Sequence, residues 1–228
     1  MPAPLFPAPL TLNSGIRARD AWPLDPDVIH LNHGSFGAVP TAVVEQQDAL
    51  RRRADLSPVE WFPRIAERVQ QARERTAPFV GAYAEDSVFV PNASAAATVV
   101  YNALHLERGD EILVTDQGYG AITMGAQRLA RRFGASVRAV ELPLLASDDE
   151  VVQRFADALT PSTRLIVVDQ ITSPTARMLP TRRIAELAAE RGIRTLVDGA
   201  HAPGLVADAA AVAGGDWWFG NLHKWPCA

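Results

Sequence analysis

Arg164-Leu165-Ile166-Val167-Val168-Asp169 and Ile193-Arg194-Thr195-Leu196-Val197-Asp198 decide the fold. Both are short apolar runs that close on an aspartate, and the segment from about Arg182 to Arg191 between them has helical spacing. A strand, a helix and a second strand of these lengths form a parallel β–α–β unit. Its strands are covered on both faces, so they read as continuous apolar runs rather than alternating ones. The same rhythm extends outward. Upstream come SVFV (87–90), a helix from Ser94 to Leu106, EILVT (111–115), a helix from about Gly120 to Phe133, and ASVRAV (135–140). Ser147-Asp148-Asp149-Glu150 is a capping box that opens a helix to Leu159. Downstream lie the small-residue segment ADAAAVAGG and the run DWWF (216–219). The alternation predicts an α/β fold, a mostly parallel sheet with helices on both faces.

The amino-terminal third has a different character. Residues 1–27 are Pro-rich and poorly periodic, a flexible arm. VIHL (28–31) has the composition of a short strand, and Asn32 to Gly37 follows as a polar, glycine-rich turn. Two helices come next, one from about Thr41 to Ala54. The other is opened by the capping box Ser57-Pro58-Val59-Glu60 and runs to about Pro78. The expected organisation is an arm (1–27), a helical segment (28–80) and an α/β domain (81–228).

Bulk properties narrow the function classes. With 48% hydrophobic residues in 228, a real core is expected. A net charge of −4 argues against a nucleic-acid partner. The lone Cys227 excludes an internal disulfide framework or a multi-cysteine zinc site, and fits a reducing compartment. No apolar run approaches a membrane span, and the N-terminus lacks the basic cluster and apolar segment of a signal peptide. The expected location is the cytoplasm.

Ligands of open α/β sheets bind outside the carboxyl ends of the strands, and the polar clusters fall there. Asn92-Ala93-Ser94-Ala95-Ala96 opens a helix. Its free N–H groups, a hydroxyl and small side chains make an anion site, although alone it reads more readily as a plain N-cap by Ser94. Asp116-Gln117-Gly118-Tyr119-Gly120 sets a tyrosine where it can lie flat on an aromatic ligand; a surface turn is the bland alternative. Thr172-Ser173-Pro174-Thr175 offers hydroxyls, or ordinary turn chemistry. Asp198 ends an apolar strand, where a carboxylate is costly unless paired; a protonated pyridine nitrogen would pair with it. A metal site of Asp198, His201 and His223 is the weaker alternative, and no metal is expected. Lys224, in GNLHKW, is the only lysine in the chain. It follows an apolar strand and precedes Trp225, a setting that lowers an amine's pKa and makes it nucleophilic.

In order, LNHGSFG, PNASAA, DQGYGA, ITSPTA with MLP, VDGAHAPG and GNLHKW resemble the class V aminotransferase family, from about Val28 to the last residue. The resemblance implies a pyridoxal 5′-phosphate (PLP) enzyme of the aspartate-aminotransferase fold. It implies Lys224 as the Schiff-base lysine and Asp198 as the partner of the pyridine nitrogen. His201 and Ser173 fall near the ring oxygen. Ala93, Ser94 and Ala95 match the phosphate-binding helix start, and Asn221 and His223 further phosphate contacts. Where many relatives stack a histidine on the ring this chain has Gln117, so Tyr119 is the expected stacker. Asn32 and Ser35 lie in a segment near the substrate in epimerase-like members. The implied reaction is at Cα of an amino acid or a derivative, epimerase-like. A carbon–sulfur lyase, a cysteine desulfurase or an aminotransferase on the same scaffold, or a non-catalytic remnant, are the alternatives. The complete protein is expected to be a homodimer. Family chains continue well past the lysine, through the end of the sheet and a small domain, so this chain reads as truncated.

Overall fold

A computed structural model describes residues 10–227. The first nine residues of the proline-rich arm lie outside them. The chain forms two compact units. One runs to Val69 and includes Leu222–Cys227; the other is Gln70–Asn221.

In the first unit, Leu10 to Ala18 makes a small turn closed by Leu12 N–H to Ile16 O at 2.8 Å and Ala18 N–H to Leu10 O at 2.7 Å. A 3₁₀ turn (Ala18–Ala21) follows. VIHL is not a strand: Val28, Ile29 and Leu31 are 60%, 85% and 81% exposed, and no described strand pairs with them. A run of four residues does not hold an extended ladder without a partner. Helix α1 (Thr41–Leu56) matches its sequence signal. The expected capping box does not form, because the Ser57 side chain makes no cap hydrogen bond. The single helix read from Ser57 onward is instead α2 (Pro58–Trp61), a 3₁₀ turn (Phe62–Arg64) and α3 (Ile65–Phe79). Pro63 has no N–H to give to an α-helical ladder, which accounts for the break. The guanidinium of Arg68 lies 4.2 Å from the Trp61 ring centroid.

The second unit is the α/β domain. SVFV (87–90) is not a strand either, and Val88 is 75% exposed. After it come α4 (Ala93–Ala103), β1 (Glu111–Thr115), α5 (Gly120–Phe133), β2 (Ser136–Val140), α6 (Asp148–Ala158) and β3 (Thr163–Asp169). The remainder is α7 (Thr181–Ala189), β4 (Arg194–Gly199), α8 (Ala209–Ala213) and β5 (Trp217–Gly220). Helix α8 arises inside the small-residue segment that carried no helix signal. The sheet order is β2-β1-β3-β4-β5 and each pairing is parallel.

Strand side chains alternate between two cores. Ile112, Val114, Leu165, Val167, Leu196 and Phe219 pack with α4 and α5. Leu113, Ile166, Val168 and Val197 pack with α6, α7 and α8. Both faces are dry, as continuous apolar strands require. Ser147 Oγ accepts from Glu150 N–H at 3.2 Å, so the second capping signal is realised. At the amino edge, Glu111 takes two hydrogen bonds from Arg138 (2.7 and 2.9 Å) and one from Thr163 (2.8 Å), tying β1 to β2 and β3.

Phe155 on α6 is fully buried in the second core. Phe155→Ala is expected to lower the unfolding free energy by about 3–5 kcal/mol, measured by denaturant titration.

Candidate functional site

From β1 the sheet grows one way to β2 and the other way through β3, so the topology switches between β1 and β3. Crevices at such points, at the carboxyl edge, are the ligand sites of open α/β sheets. Two loops meet there. Tyr119 N–H donates to Asp169 Oδ1 at 3.3 Å, joining the turn after β1 to the end of β3. Buried Gln117 donates from Nε2 to Leu142 O (2.7 Å) and accepts at Oε1 from Thr175 Oγ1 (2.9 Å). Its amide thus knits together the loops after β1, β2 and β3 and is committed to them. Tyr119, half exposed, is the aromatic residue of this turn. Ser173 is exposed on the loop after β3 and makes none of these links.

Asp198 ends β4 with 3% of its surface exposed, and its Oδ1 accepts Ala200 N–H at 2.8 Å. Its register partner on β3 is Asp169, also buried. Paired positions of adjacent strands face the same side, and here that side carries Leu165, Val167 and Leu196 with α4 and α5. Burial, and next the adjacent Asp198, push the Asp169 carboxyl up to about 8. Burial also raises the Tyr101 phenol, with Asp198 and Asp169 adding to it, and its hydroxyl donates to Ile122 O at 3.1 Å. Asp169 escaped the sequence reading. Its signal was present, since it closes RLIVVD as Asp198 closes IRTLVD. His201 sits half-buried in the turn after β4, which Ala202 N–H to Gly199 O closes at 2.8 Å.

The N-cap of α4 is Asn92, not Ser94. Its Oδ1 accepts Ala95 N–H at 2.9 Å and its carbonyl accepts Ala96 N–H at 3.0 Å. Asn221, just past β5, is buried and takes Ala93 N–H on Oδ1 at 2.9 Å, which leaves its Nδ2 to donate. Among the described residues no acceptor meets the N–H of Ser94, which is exposed at this helix end. The structure therefore brings Ala93, Ser94, Ala95 and Asn221 together around the positive end of a helix.

In the other unit, Lys224 is half-buried and His223 exposed. Gly37 packs so closely on their backbone that a Cβ there would lie 2.1 Å from His223 O and 2.5 Å from Lys224 O. His33 stands 6.3 Å from the Trp225 ring and meets His30 edge-on at 4.5 Å. The LNHGSFG turn thus lies against the lysine segment, with Asn32 and Ser35 exposed on it. Cys227 bonds through Sγ to Trp225 O at 3.3 Å.

Residues 59–209 match the family model of class V aminotransferases. The chain belongs to that family. Over 213 residues it is 38% identical to isopenicillin N epimerase of Amycolatopsis lactamdurans, covering 91% of this chain and 53% of that protein. It is 27% identical to a probable chloroplastic L-cysteine desulfhydrase of Arabidopsis thaliana, covering 88% of this chain and 46% of that one. The solved structure of the cystine C–S lyase C-DES with its product cysteine persulfide superposes with a TM-score of 0.82 at 25% identity, over 88% of this chain and 54% of that one. The chain spans about half the length of these relatives.

PLP is the cofactor of this family, and the second unit's donor set fits it. A helix amino end with an open N–H and a hydroxyl suits a phosphate. A buried carboxylate on the same sheet face suits a protonated ring nitrogen. Among the described residues no group of three or more His, Cys, Asp or Glu side chains is arranged to hold a metal ion. No helix among them is long and apolar enough to cross a membrane.

Because the atoms facing Gly37 are backbone, no rotamer change makes room for a methyl group. Gly37→Ala is expected to cost about 1–3 kcal/mol. It should also raise amide hydrogen exchange at Trp225 and Cys227 while leaving β1, β3 and β4 protected.

Proposed function

We propose that this chain carries the cofactor-binding part of a PLP-dependent enzyme acting at Cα of an amino acid or amino-acid-derived substrate, with epimerisation as the reaction. The observation that carries the reading is the buried Asp198 carboxylate at the end of β4, on the sheet face covered by α4, whose amino end keeps Ser94 open. The 38% identity to an isopenicillin N epimerase supports the choice of reaction.

Bound PLP supplies an electron sink for charge developing at Cα. The protein's part is to hold and to move protons. Asp198 accepts a hydrogen bond from the ring nitrogen and keeps it protonated. At the helix start Ala93–Ala95, the open N–H and hydroxyl of Ser94 and the Nδ2 of Asn221 would bind the phosphate, and His223 would add to it. Tyr119 covers one face of the ring; His201 and Ser173 serve its hydroxyl. Lys224 would hold the cofactor, and its amine, when free, would take the Cα proton. Inversion requires a second acid on the opposite face. Asn32 and Ser35 stand on the turn packed against the lysine segment and contact the substrate.

A carbon–sulfur lyase is the second reading, favoured by the desulfhydrase relative and the likeness to C-DES. Cys227 does not serve it as a mobile nucleophile, since its thiol is held on the Trp225 carbonyl.

Borohydride treatment of the protein with PLP should fix the cofactor to Lys224, read by peptide mass, and Lys224→Ala should take up none. An equal yield from Lys224→Ala would refute the assignment. Asp198→Ala removes a charged hydrogen bond of about 1.5–3 kcal/mol and should weaken PLP binding about 10- to 100-fold. With an amino-acid panel in deuterated water, Cα exchange with racemised product marks the epimerase, and sulfide release marks the lyase.

A further inference from the structure

We propose that Asp169 is a positioning residue of the cofactor site: the neutral member of a buried carboxyl–carboxylate pair with Asp198, and the anchor of the turn that carries Tyr119. The inference rests on the PLP reading above.

The geometry supports both halves. Asp169 and Asp198 occupy paired positions at the carboxyl ends of adjacent strands and are 6% and 3% exposed. Like charges so placed in a dry setting do not both ionise. The groups facing Asp169 are Asp198 from β4, Tyr101 from α4 and the N–H of Tyr119 ahead of α5. His201 follows Asp198 in the turn after β4. Among the described residues no cation forms an ion pair with Asp169. Asp198 Oδ1 accepts Ala200 N–H at 2.8 Å, while Asp169 accepts Tyr119 N–H at 3.3 Å and its own N–H; burial and the adjacent Asp198 outweigh these two bonds, which puts the proton on Asp169. One anion would then be left to accept from a protonated ring nitrogen. The Asp169 Oδ1 bond crosses the β1/β3 switch point, so the same side chain sets how far the Tyr119 turn stands from the ring. Gly118 fits closely beside it, with a built Cβ only 3.4 Å from Asp169 Oδ2.

Asp169→Asn keeps the neutral shape and the acceptor for Tyr119; Asp169→Ala removes both. Infrared spectra of the PLP-free protein should contain a buried protonated-carboxyl band that titrates near pH 8 and is absent from Asp169→Asn. In Asp198→Asn the band should titrate at lower pH, because the neighbouring charge is gone. A band that survives Asp169→Asn, or no such band in the wild type, overturns the proton assignment. Stability gives a second reading. From about pH 4 to about pH 8 the unfolded chain has released this proton while the folded protein keeps it, so stability falls as pH rises through that window and levels off above it. Asp169→Asn should abolish this slope; an unchanged slope counts against the proposal.

The anchoring half is read from PLP affinity. Asp169→Asn should bind PLP as the wild type does, and Asp169→Ala about fivefold more weakly, the loss of one neutral hydrogen bond. Equal losses in the two variants would overturn it. If Asp169→Ala does not fold, hydrogen exchange at the Tyr119 amide decides: protected in wild type and Asp169→Asn, or exposed in both and the anchor refuted. If the wild type takes up no PLP, the functional reading fails, while the infrared and exchange measurements still decide the pair and the anchor.

Discussion

A parallel strand cannot be followed by a tight hairpin; the chain must cross over the sheet before the next strand begins. All five strands here obey that constraint, so their carboxyl ends share one edge. The turns holding Gln117 and Tyr119, the loop holding Thr172 and Thr175, the turn at His201, and Asn221 all leave from that edge. The crossover helices carry the chain back across the sheet, and so does α4, which feeds β1. Its amino end therefore lies at the same edge, with its free N–H groups and partial positive charge. A helix amino end and the ends of the strands are brought to one edge by connectivity before any particular side chain is chosen.

Side-chain choice then separates the two edges of the sheet. At the amino edge, buried Glu111 is met by the Arg138 fork and the Thr163 hydroxyl, a charge balanced within the fold. At the carboxyl edge, Asp169 and Asp198 are buried beside each other and beside Tyr101, and Asp169 accepts the Tyr119 N–H. Arginine is plentiful in this chain, and none pairs with Asp169 among the described residues. Asp169 is thus a buried carboxyl met by a backbone N–H, where Glu111 is met by a guanidinium.

The parallel sheet was legible because period and length agreed: each of the runs at 111–115, 136–140, 164–169 and 194–198 is short, built around consecutive or near-consecutive apolar residues, and followed or preceded by a helical segment. The runs at 28–31 and 87–90 look the same in isolation. They fail as strands because pairing is a property of a neighbour, which four residues cannot announce. The capping pattern at Ser57 announced one helix, and the helix broke at Pro63, where the missing N–H required. Asn92 displaced Ser94 as the cap because either residue type suits that role, and only the backbone angles choose between them. Asp198 was found and Asp169 missed for a similar reason. Both end apolar runs, but that they stand side by side follows from β3 pairing with β4, and sheet order is not written in either run.

The hydrogen bond between Ala93 and Asn221 joins residues 128 positions apart. Chains are synthesised from the amino end at about 5–20 residues per second. Helix α4 therefore leaves the ribosome on the order of 10 s before the side chain that finishes its amino end exists. This helix end is among the last parts of the unit to close. During synthesis the nascent chain shows its surroundings a helix end that stays incomplete until β5 has docked and Asn221 has followed it.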